Sequence, residues 1–184
     1  MACAQYPTPG VTSRCAACNT SEVQTTSDIL VAGIGNIFLG DDGFGPEVIR
    51  RVPAQLAGPQ VMLTDYGIRG MHLAYDLLDG WQALVLIDAL PSRGSPGTLH
   101  VLEADHQTLT AAAGLDAHAM DPAAVFASLN ALGGSPPYTV VIGCEVDNVE
   151  EGIGLSERVE AAIPQALQAI EDVVARLLEP VKEG

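Results

Sequence analysis

One stretch of the chain, residues 28–46, restricts the fold more than any other. It begins with a short apolar run, Ile29-Leu30-Val31-Ala32, of the length expected for a buried strand. From about residue 43 the apolar residues recur at helical spacing instead. The connection between the two patterns is rich in glycine, which permits backbone conformations and close approaches that a Cβ would block. These glycines are Gly33, Gly35, Gly40 and Gly43. The stretch therefore predicts a strand, a tight loop and a helix.

Two adjacent carboxylates, Asp41 and Asp42, precede the predicted helix. One of them can cap the helix, whose first amide groups lack partners, and we predict that Asp42 is the one that points into the cleft above the strand end. The loop is not a dinucleotide-binding fingerprint, because Phe38 replaces the third glycine and two negative charges stand where phosphate would bind. The pair favours a cation. Taken alone, such a pair is more often a cap with a solvated neighbour.

The remaining periodicity predicts a layered α/β domain. Strands are predicted at residues 29–32, 61–64, 83–87 and 139–144, with an antiparallel edge strand at 98–102; helices are predicted at 43–56, 71–78 and 122–132, followed by a long final helix capped by Ser156. We expect a single α/β domain over residues 27–180, with three layers: a twisted, mostly parallel sheet of about five strands and helices on both faces.

Residues 1–26 show neither periodicity and are predicted to be a flexible extension. Cys15 and Cys18 in this extension, with Cys3 as a third thiolate, could hold zinc, but a second ligand pair at the usual spacing is absent. Incidental thiols in a tail are the simpler interpretation. Cys144 lies in a strand-like run and is predicted to pack as a small buried hydrophobe.

Acidic residues recur where predicted strands end. Asp65 follows the strand at 61–64 and Asp88 follows the strand at 83–87. The carboxyl ends of parallel strands form the edge at which open α/β sheets bind ligands. His118 lies just before the helix that Asp121 is predicted to cap, a position where an imidazole stays neutral and able to bind metal. The other three histidines have no comparable setting and are predicted to be polar surface residues: His72, His100 and His106.

Charge and composition limit the partners and the compartment. Asp and Glu number 23 against 8 Lys and Arg, a formal charge of −15 that disfavours nucleic acid and anionic membrane surfaces. There is no apolar run long enough to span a membrane and no secretory signal pattern at the start. The 4 cysteines do not suggest a disulfide framework. A cytoplasmic monomer is expected.

Several separated motifs together resemble the hydrogenase maturation endopeptidases over residues 28 to about 178. The motifs are Gly33-Ile34-Gly35-Asn36, Asp41-Asp42-Gly43-Phe44-Gly45, Asp65-Tyr66-Gly67-Ile68-Arg69-Gly70-Met71, Ile87-Asp88-Ala89, the His118 loop and Gly152-Ile153-Gly154-Leu155-Ser156. The resemblance implies a peptidase that removes the C-terminal extension of the large subunit of a nickel-iron hydrogenase after nickel insertion. It also implies that nickel in the precursor is the recognition determinant, so that the enzyme has no permanently bound cofactor; zinc or cadmium could occupy the same site.

By this resemblance, the metal-ligand roles fall on Asp42, Asp88 and His118. Asp42, Asp88 and Asp65 are the candidate catalytic acids, and the candidate substrate-binding residues are Gly35, Asn36 and Gly67. The residues leave open whether a metal held there would polarise the scissile carbonyl and activate water, or only position the precursor while the carboxylates transfer protons.

The chain departs from the family pattern at two positions. Asp42 stands where some relatives have Glu, which shortens the reach by one methylene, and Tyr66 stands where relatives can have Gly, which is expected to add bulk beside a substrate tail. A non-catalytic, nickel-sensing chaperone of hydrogenase assembly is the alternative function. A nucleotide-binding protein is disfavoured by Phe38 and the acidic loop.

Overall fold

The computed structural model of the protein describes residues 28–104 and 122–179. The predictions for the extension at 1–26, and those for His106, His118 and Asp121, fall outside these ranges. The strands are β1 (Ile29–Ile34), β2 (Val61–Gly67), β3 (Ala83–Leu90), β4 (Leu99–Glu103) and β5 (Tyr138–Glu145). The helices are α1 (Phe44–Arg51), α2 (Gly70–Asp76), α3 (Pro122–Ala131) and α4 (Glu157–Leu178), and short 3₁₀ turns lie at Gly40–Gly43, Ala54–Leu56 and Leu77–Asp79.

The five strands form one sheet in the order β2-β1-β3-β5-β4. The pairs β1–β2, β1–β3 and β3–β5 are parallel. Strand β4 pairs with β5 in the antiparallel direction and closes the sheet at that side, so the predicted antiparallel edge strand is confirmed. Strand β1 is buried along its whole length, which agrees with its continuous apolar sequence, because both faces of a mostly parallel sheet are covered.

Two apolar cores lie on opposite faces of the sheet. On one face, alternate residues of β1, β3 and β5 pack against Phe44 and Val48 of α1 and against the apolar stripe of α4. On the other face, the intervening residues pack against Leu73 of α2 and against Phe126 and Leu129 of α3. Each fully buried aliphatic or aromatic side chain contributes roughly 1.5–3 kcal/mol to folding. The predicted three-layer α/β architecture is therefore confirmed.

Several predicted boundaries move for identifiable reasons. The helix predicted to reach residue 56 ends at Arg51, because Val52 precedes Pro53 and adopts the extended ψ of 130° that proline imposes on its neighbour. Strand β3 continues to Leu90 because it stays paired with β5 beyond the end of β1. Asp88 thus lies inside the strand, and Glu145, expected in an acidic loop, is the last residue of β5.

Within the part of the chain that the structure describes, none of the helices has both the length and the hydropathy needed to cross a bilayer.

Candidate active site

Helix α1 begins directly on the ends of two central strands. A Cβ on Gly45 would lie 2.3 Å from the carbonyl oxygen of Ile34 and 2.4 Å from that of Ile87, so only glycine fits this junction. Gly33 is equally tight, with a would-be Cβ 2.6 Å from the Gly45 carbonyl oxygen. The close approach places the Gly40–Gly43 turn, which carries Asp41 and Asp42, in contact with β3 at the carboxyl edge of the sheet.

The side chain of Asp41 is completely buried and holds the loop that precedes α4. Its Oδ2 accepts hydrogen bonds from the backbone N–H groups of Asp147 and Asn148, both at 2.8 Å. The Ser156 backbone N–H donates to Oδ1 at 2.6 Å, and the Ser156 hydroxyl donates to Oδ2 at 2.9 Å. Burial alone would raise the pKa of Asp41, but these donors outweigh it and hold the pKa below its ordinary value.

The capping roles predicted for this region are wrong. The N-terminus of α1 has no side-chain cap, because Asp41 turns towards the other loop. Ser156 does occupy the N-cap position of α4, but its hydroxyl donates to Asp41 and does not cap the helix. Both side chains are taken by a long-range contact that no local rule could indicate.

Asp42, next to Asp41 in the chain, has a different environment. It is half-buried, and its Oδ2 accepts a hydrogen bond from the Asn36 backbone N–H at 2.7 Å. Among the described residues, no hydrogen bond or ion pair reaches its Oδ1. Asn36 in turn accepts a hydrogen bond from the Phe38 backbone N–H through its side-chain oxygen at 3.0 Å, which confirms the predicted local turn. Asp42 therefore keeps one carboxylate oxygen available for a ligand.

Asp88 lies in β3 one residue beyond the last pairing with β1, which joins Gly33 to Ile87. Its side chain is 9% exposed, and its Oδ1 accepts a hydrogen bond from the backbone N–H of Ala89 at 2.8 Å. Because side chains alternate along a strand, Asp88 is on the same face as Leu84 and Leu86, towards α2 and α3. Strand β1 no longer pairs with β3 at this position. The Gly40–Gly43 turn, which carries Asp42, contacts β3 as well.

Asp65 reaches the edge from the other face, since it pairs with Gly33 and alternates with the buried Tyr66. A Cβ placed on Gly67 would lie 3.7 Å from Asp65 Oδ1 and 3.8 Å from the Gly35 carbonyl oxygen. The Gly35 N–H donates to the Gly67 carbonyl oxygen at 3.1 Å, and both glycines have positive φ, +130° and +52°. The structure thus joins the β1–α1 and β2–α2 loops through two glycines that lie beside the Asp65 carboxylate.

Tyr66 does not add bulk beside these two glycines, contrary to the expectation from the sequence. Its ring is 2% exposed and packs into the core beneath α2. The hydroxyl donates to Asp76 Oδ2 at 2.6 Å, and burial followed by this bond to Asp76 raises the pKa of Tyr66. Tyr66 is therefore a core residue.

A buried acid that the sequence did not single out lies at the end of β5. Glu145 Oε2 accepts hydrogen bonds from the backbone N–H groups of Arg93 at 2.8 Å and Ser95 at 3.2 Å, and its Oε1 lies 2.9 Å from His100 Nε2. The Arg93 bond, followed by the His100 bond, lowers the pKa of Glu145. His100 is therefore not a simple surface residue. Glu145 thus holds the loop that follows β3. The sequence signal that could have identified it is an acidic residue at the end of a buried apolar strand.

Cys144 is fully buried, and burial raises the pKa of its thiol to about 11. This confirms the prediction that it packs as a small hydrophobe.

The structure brings Asp42, Asp88, Asp65 and the three candidate substrate-binding residues to one edge of the sheet. His118, the predicted imidazole ligand, lies outside the described ranges. Within those ranges, no group of three His, Cys, Asp or Glu side chains is arranged to hold a metal ion. Of the three predicted metal ligands, the structure describes the two carboxylates, Asp42 and Asp88.

This fold and its acid-lined sheet edge place the chain among single-domain α/β enzymes. A family model described as hydrogenase maturation protease matches residues 46–173, more than half of the chain. The hydrogenase 2 maturation protease of Escherichia coli is 31% identical to the chain over 153 residues, which covers 82% of this chain and 91% of the relative. The coenzyme F420 hydrogenase subunit delta of Methanothermobacter thermautotrophicus is 33% identical over 166 residues, covering 80% of this chain and 95% of the relative.

Solved structures agree with the sequence relatives. The hydrogenase-maturating endopeptidase HybD from E. coli matches the fold with a TM-score of 0.71 at 28% identity, over 82% of this chain and 93% of that chain. The chain therefore belongs to the hydrogenase maturation protease family. It is a peptidase, and the resemblance noted from its motifs is confirmed.

Proposed function

We propose that the protein is the endopeptidase that removes the C-terminal extension of a nickel-iron hydrogenase large-subunit precursor after nickel insertion. The observation that carries the proposal is the arrangement of the sheet edge. Asp42, with one oxygen available, lies on a turn in contact with the strand of Asp88, and the hydrogen-bonded Gly35 and Gly67 lie beside Asp65. Carboxylates beside glycine backbone that carries no side chains are suited to a peptide that must lie close to acidic groups.

On this proposal the nickel ion belongs to the precursor and is part of the substrate. Asp42 and Asp88 would provide carboxylate oxygens to it, and His118 is the imidazole proposed to complete the set. Mixed oxygen and nitrogen donors suit nickel and also zinc or a related divalent ion such as cadmium. The enzyme then needs no permanently bound cofactor, because the ion that it recognises arrives with the client.

The tail of the precursor would lie across the backbone of Gly35 and Gly67, which carry no side chains and are hydrogen-bonded to each other. The Asn36 side-chain nitrogen makes no hydrogen bond with a described residue, so it can donate to a carbonyl oxygen of the tail. Asp65 is the proposed supporting carboxylate. It acts as a general base and accepts a proton from the attacking water as the new C–O bond forms. The peptide C–N bond then breaks, and the leaving amine takes the proton. In the alternative mechanism, the nickel ion of the precursor would polarise the scissile carbonyl.

The proposed partner is a single nickel-loaded precursor, met by a monomer of this chain in the cytoplasm. The formal charge of −15 supports a protein client over nucleic acid or an anionic membrane.

Incubation of the precursor with the protein, with and without nickel, followed by intact-mass measurement, tests this function. A shortened product that forms only from the nickel-loaded precursor is the expected result. An unchanged mass in the nickel-loaded sample would refute the peptidase role, and a stable complex with unchanged mass would identify a nickel-sensing chaperone.

A further inference from the structure

Large apolar side chains are exposed beside the candidate site, on two loops that are bound to each other. Phe38 is 61% exposed and Ile153 is 81% exposed, and Ile37 and Val149 next to them are also exposed. Ile37 and Phe38 lie between Asn36 and Asp42 in the chain, so the apolar surface adjoins the proposed catalytic edge. Scattered exposed apolar residues are ordinary, but a group of this kind next to a functional edge indicates a binding surface.

The two loops hold these side chains in place. The Gly152 N–H donates to the Phe38 carbonyl oxygen at 2.9 Å, and the Gly40 N–H donates to the Gly152 carbonyl oxygen at 3.1 Å. The buried Asp41 carboxylate binds the base of the same loop through Ser156. We call residues 37–41 and 147–156 together the platform. Because its backbone is already bonded, a partner would meet ordered apolar groups and less entropy would be lost on binding.

The platform contains a dent of about 70 Å³, lined by Ile37, Ile153 and Leu155 and bordered by the Glu47–Arg50 ion pair. Pockets for small molecules are several times larger, roughly 300–1,000 Å³. The dent is of a size for one side chain of a macromolecular partner. Apolar anchors inserted into such dents dominate the binding energy of protein interfaces.

The charge around the platform indicates which kind of partner can bind there. Glu150 and Glu151, both exposed, border the apolar group. The chain as a whole carries −15, so a second copy of it would bring like charge to the surface, and an anionic membrane would be repelled as well. Stable complexes bury roughly 800 Å² on each partner, more than four loop side chains can supply. The surface therefore fits a short-lived contact with a partner that presents an apolar side chain flanked by Lys or Arg.

We propose that the platform, through Phe38, Ile153 and the dent between Ile37 and Ile153, is the docking surface for the hydrogenase precursor, which inserts an apolar side chain next to basic residues. This inference rests on the proposed function and adds to it the surface that selects the client. The platform binds the client away from the scissile bond, so its contacts determine affinity more than the rate of the chemical step.

The test compares Phe38→Ser and Ile153→Ser with Leu102→Ser, which removes an apolar side chain, 51% exposed, from the far edge strand β4. In kinetics of precursor cleavage, each platform substitution should raise KM about tenfold and change kcat less. A tenfold loss of affinity is typical when a modest interface hot spot is truncated. Leu102→Ser should leave both constants unchanged. All three positions are outside the core, and a thermal unfolding curve for each variant checks that the fold is retained.

A second arm examines the charge. The double variant Glu150→Gln, Glu151→Gln should raise KM about threefold at low ionic strength and less at high salt, because exposed charges are screened.

The outcomes separate this inference from the function on which it rests. Absence of cleavage by the unmodified protein would refute the proposed function. Normal cleavage with an unchanged KM in both platform variants would refute the docking surface alone. A fall in KM on removal of the two acids would show that the client is not basic there. A dimer of the unmodified protein in sedimentation that Ile153→Ser dissociates would assign the surface to a second copy and overturn the proposal.

Discussion

Asp41 and Asp42 are chemically identical neighbours in the chain, yet their surroundings differ completely. Asp41 is fully buried, and both of its oxygens are occupied by donors from the loop before α4. Asp42 is half-buried, has one backbone donor from Asn36 and keeps an oxygen available. The first residue anchors the platform, and the second is placed for chemistry. The comparison shows that a fixed scaffold and a reactive edge can be built from consecutive residues when a tight turn directs them apart.

The largest effect is expected from loss of the reactive carboxylates. Asp42→Ala, Asp88→Ala and His118→Ala should each lower precursor processing by at least about 100-fold, the usual contribution of a positioned acid or base. Intact-mass kinetics of the nickel-loaded precursor measure this.

The matched control is Asp172→Ala, which removes a carboxylate from the exposed face of α4, where it accepts a hydrogen bond from Gln168. It should process normally. Normal processing by all three site variants would show that these carboxylates and the imidazole are not the reactive groups.

Asp41→Asn should act on stability. The new amide N–H₂ would face backbone donors in a buried site, so we expect the free energy of unfolding to fall by about 2–4 kcal/mol. Urea unfolding followed by circular dichroism measures the change. Asp28→Asn is the comparison, because Asp28 also accepts two hydrogen bonds, from the side chains of Gln60 and Gln82, but at a half-buried site. That substitution should change the free energy by less than about 1 kcal/mol; equal losses at the two sites would contradict the anchor role.

Acid should weaken the anchor. The pKa of Asp41 lies below its ordinary value in the folded protein, so as pH falls the unfolded chain takes up the proton first. The stability that Asp41 contributes is complete above the ordinary aspartate pKa of about 3.9 and is lost as pH falls from there through the lower folded value. Urea unfolding of the unmodified protein and of Asp41→Asn, measured between neutral and acid pH, should show that the difference between their free energies of unfolding becomes smaller as pH falls. A difference that stays constant in acid would mean that the charge of Asp41 is not its source.

The smallest effect is expected for Asp42→Glu. The longer side chain keeps the carboxylate and adds one methylene at a half-buried position, so processing should stay within about tenfold of the unmodified rate, or roughly 1.4 kcal/mol in the barrier. Single-turnover processing assays compare it with Asp42→Asn, which keeps the length but removes the charge. Equal activity of the Glu and Asn variants would show that charge at this position is not used.

Much of the architecture could be predicted from local pattern. The continuous apolar runs of β1 and β3 and the turn residues around them predicted a covered parallel sheet, and the structure confirms it. Boundaries failed where pairing with a distant strand, and not local composition, ends an element, as at Leu90 and Glu145.

The individual partners of the acids could not be predicted. Ser156 was expected to cap α4, yet its hydroxyl is donated to Asp41, 115 positions earlier. Tyr66 was expected to add bulk beside the substrate tail, yet its ring lies in the core and its hydroxyl donates to Asp76. In each case a local rule and a long-range contact competed, and the contact prevailed because a buried polar group is unfavourable unless it is hydrogen-bonded.

The sequence by itself determined the layered fold, the family motifs and the concentration of acids at the strand ends, because periodicity, glycine spacing and residue type are local properties of the chain. Only the tertiary structure decided which acid is an anchor and which has an oxygen available, and that Phe38 and Ile153 stand together on one surface. Those outcomes depend on loops that meet across more than 100 residues of sequence, where burial and hydrogen-bond satisfaction, and not local preference, select the arrangement.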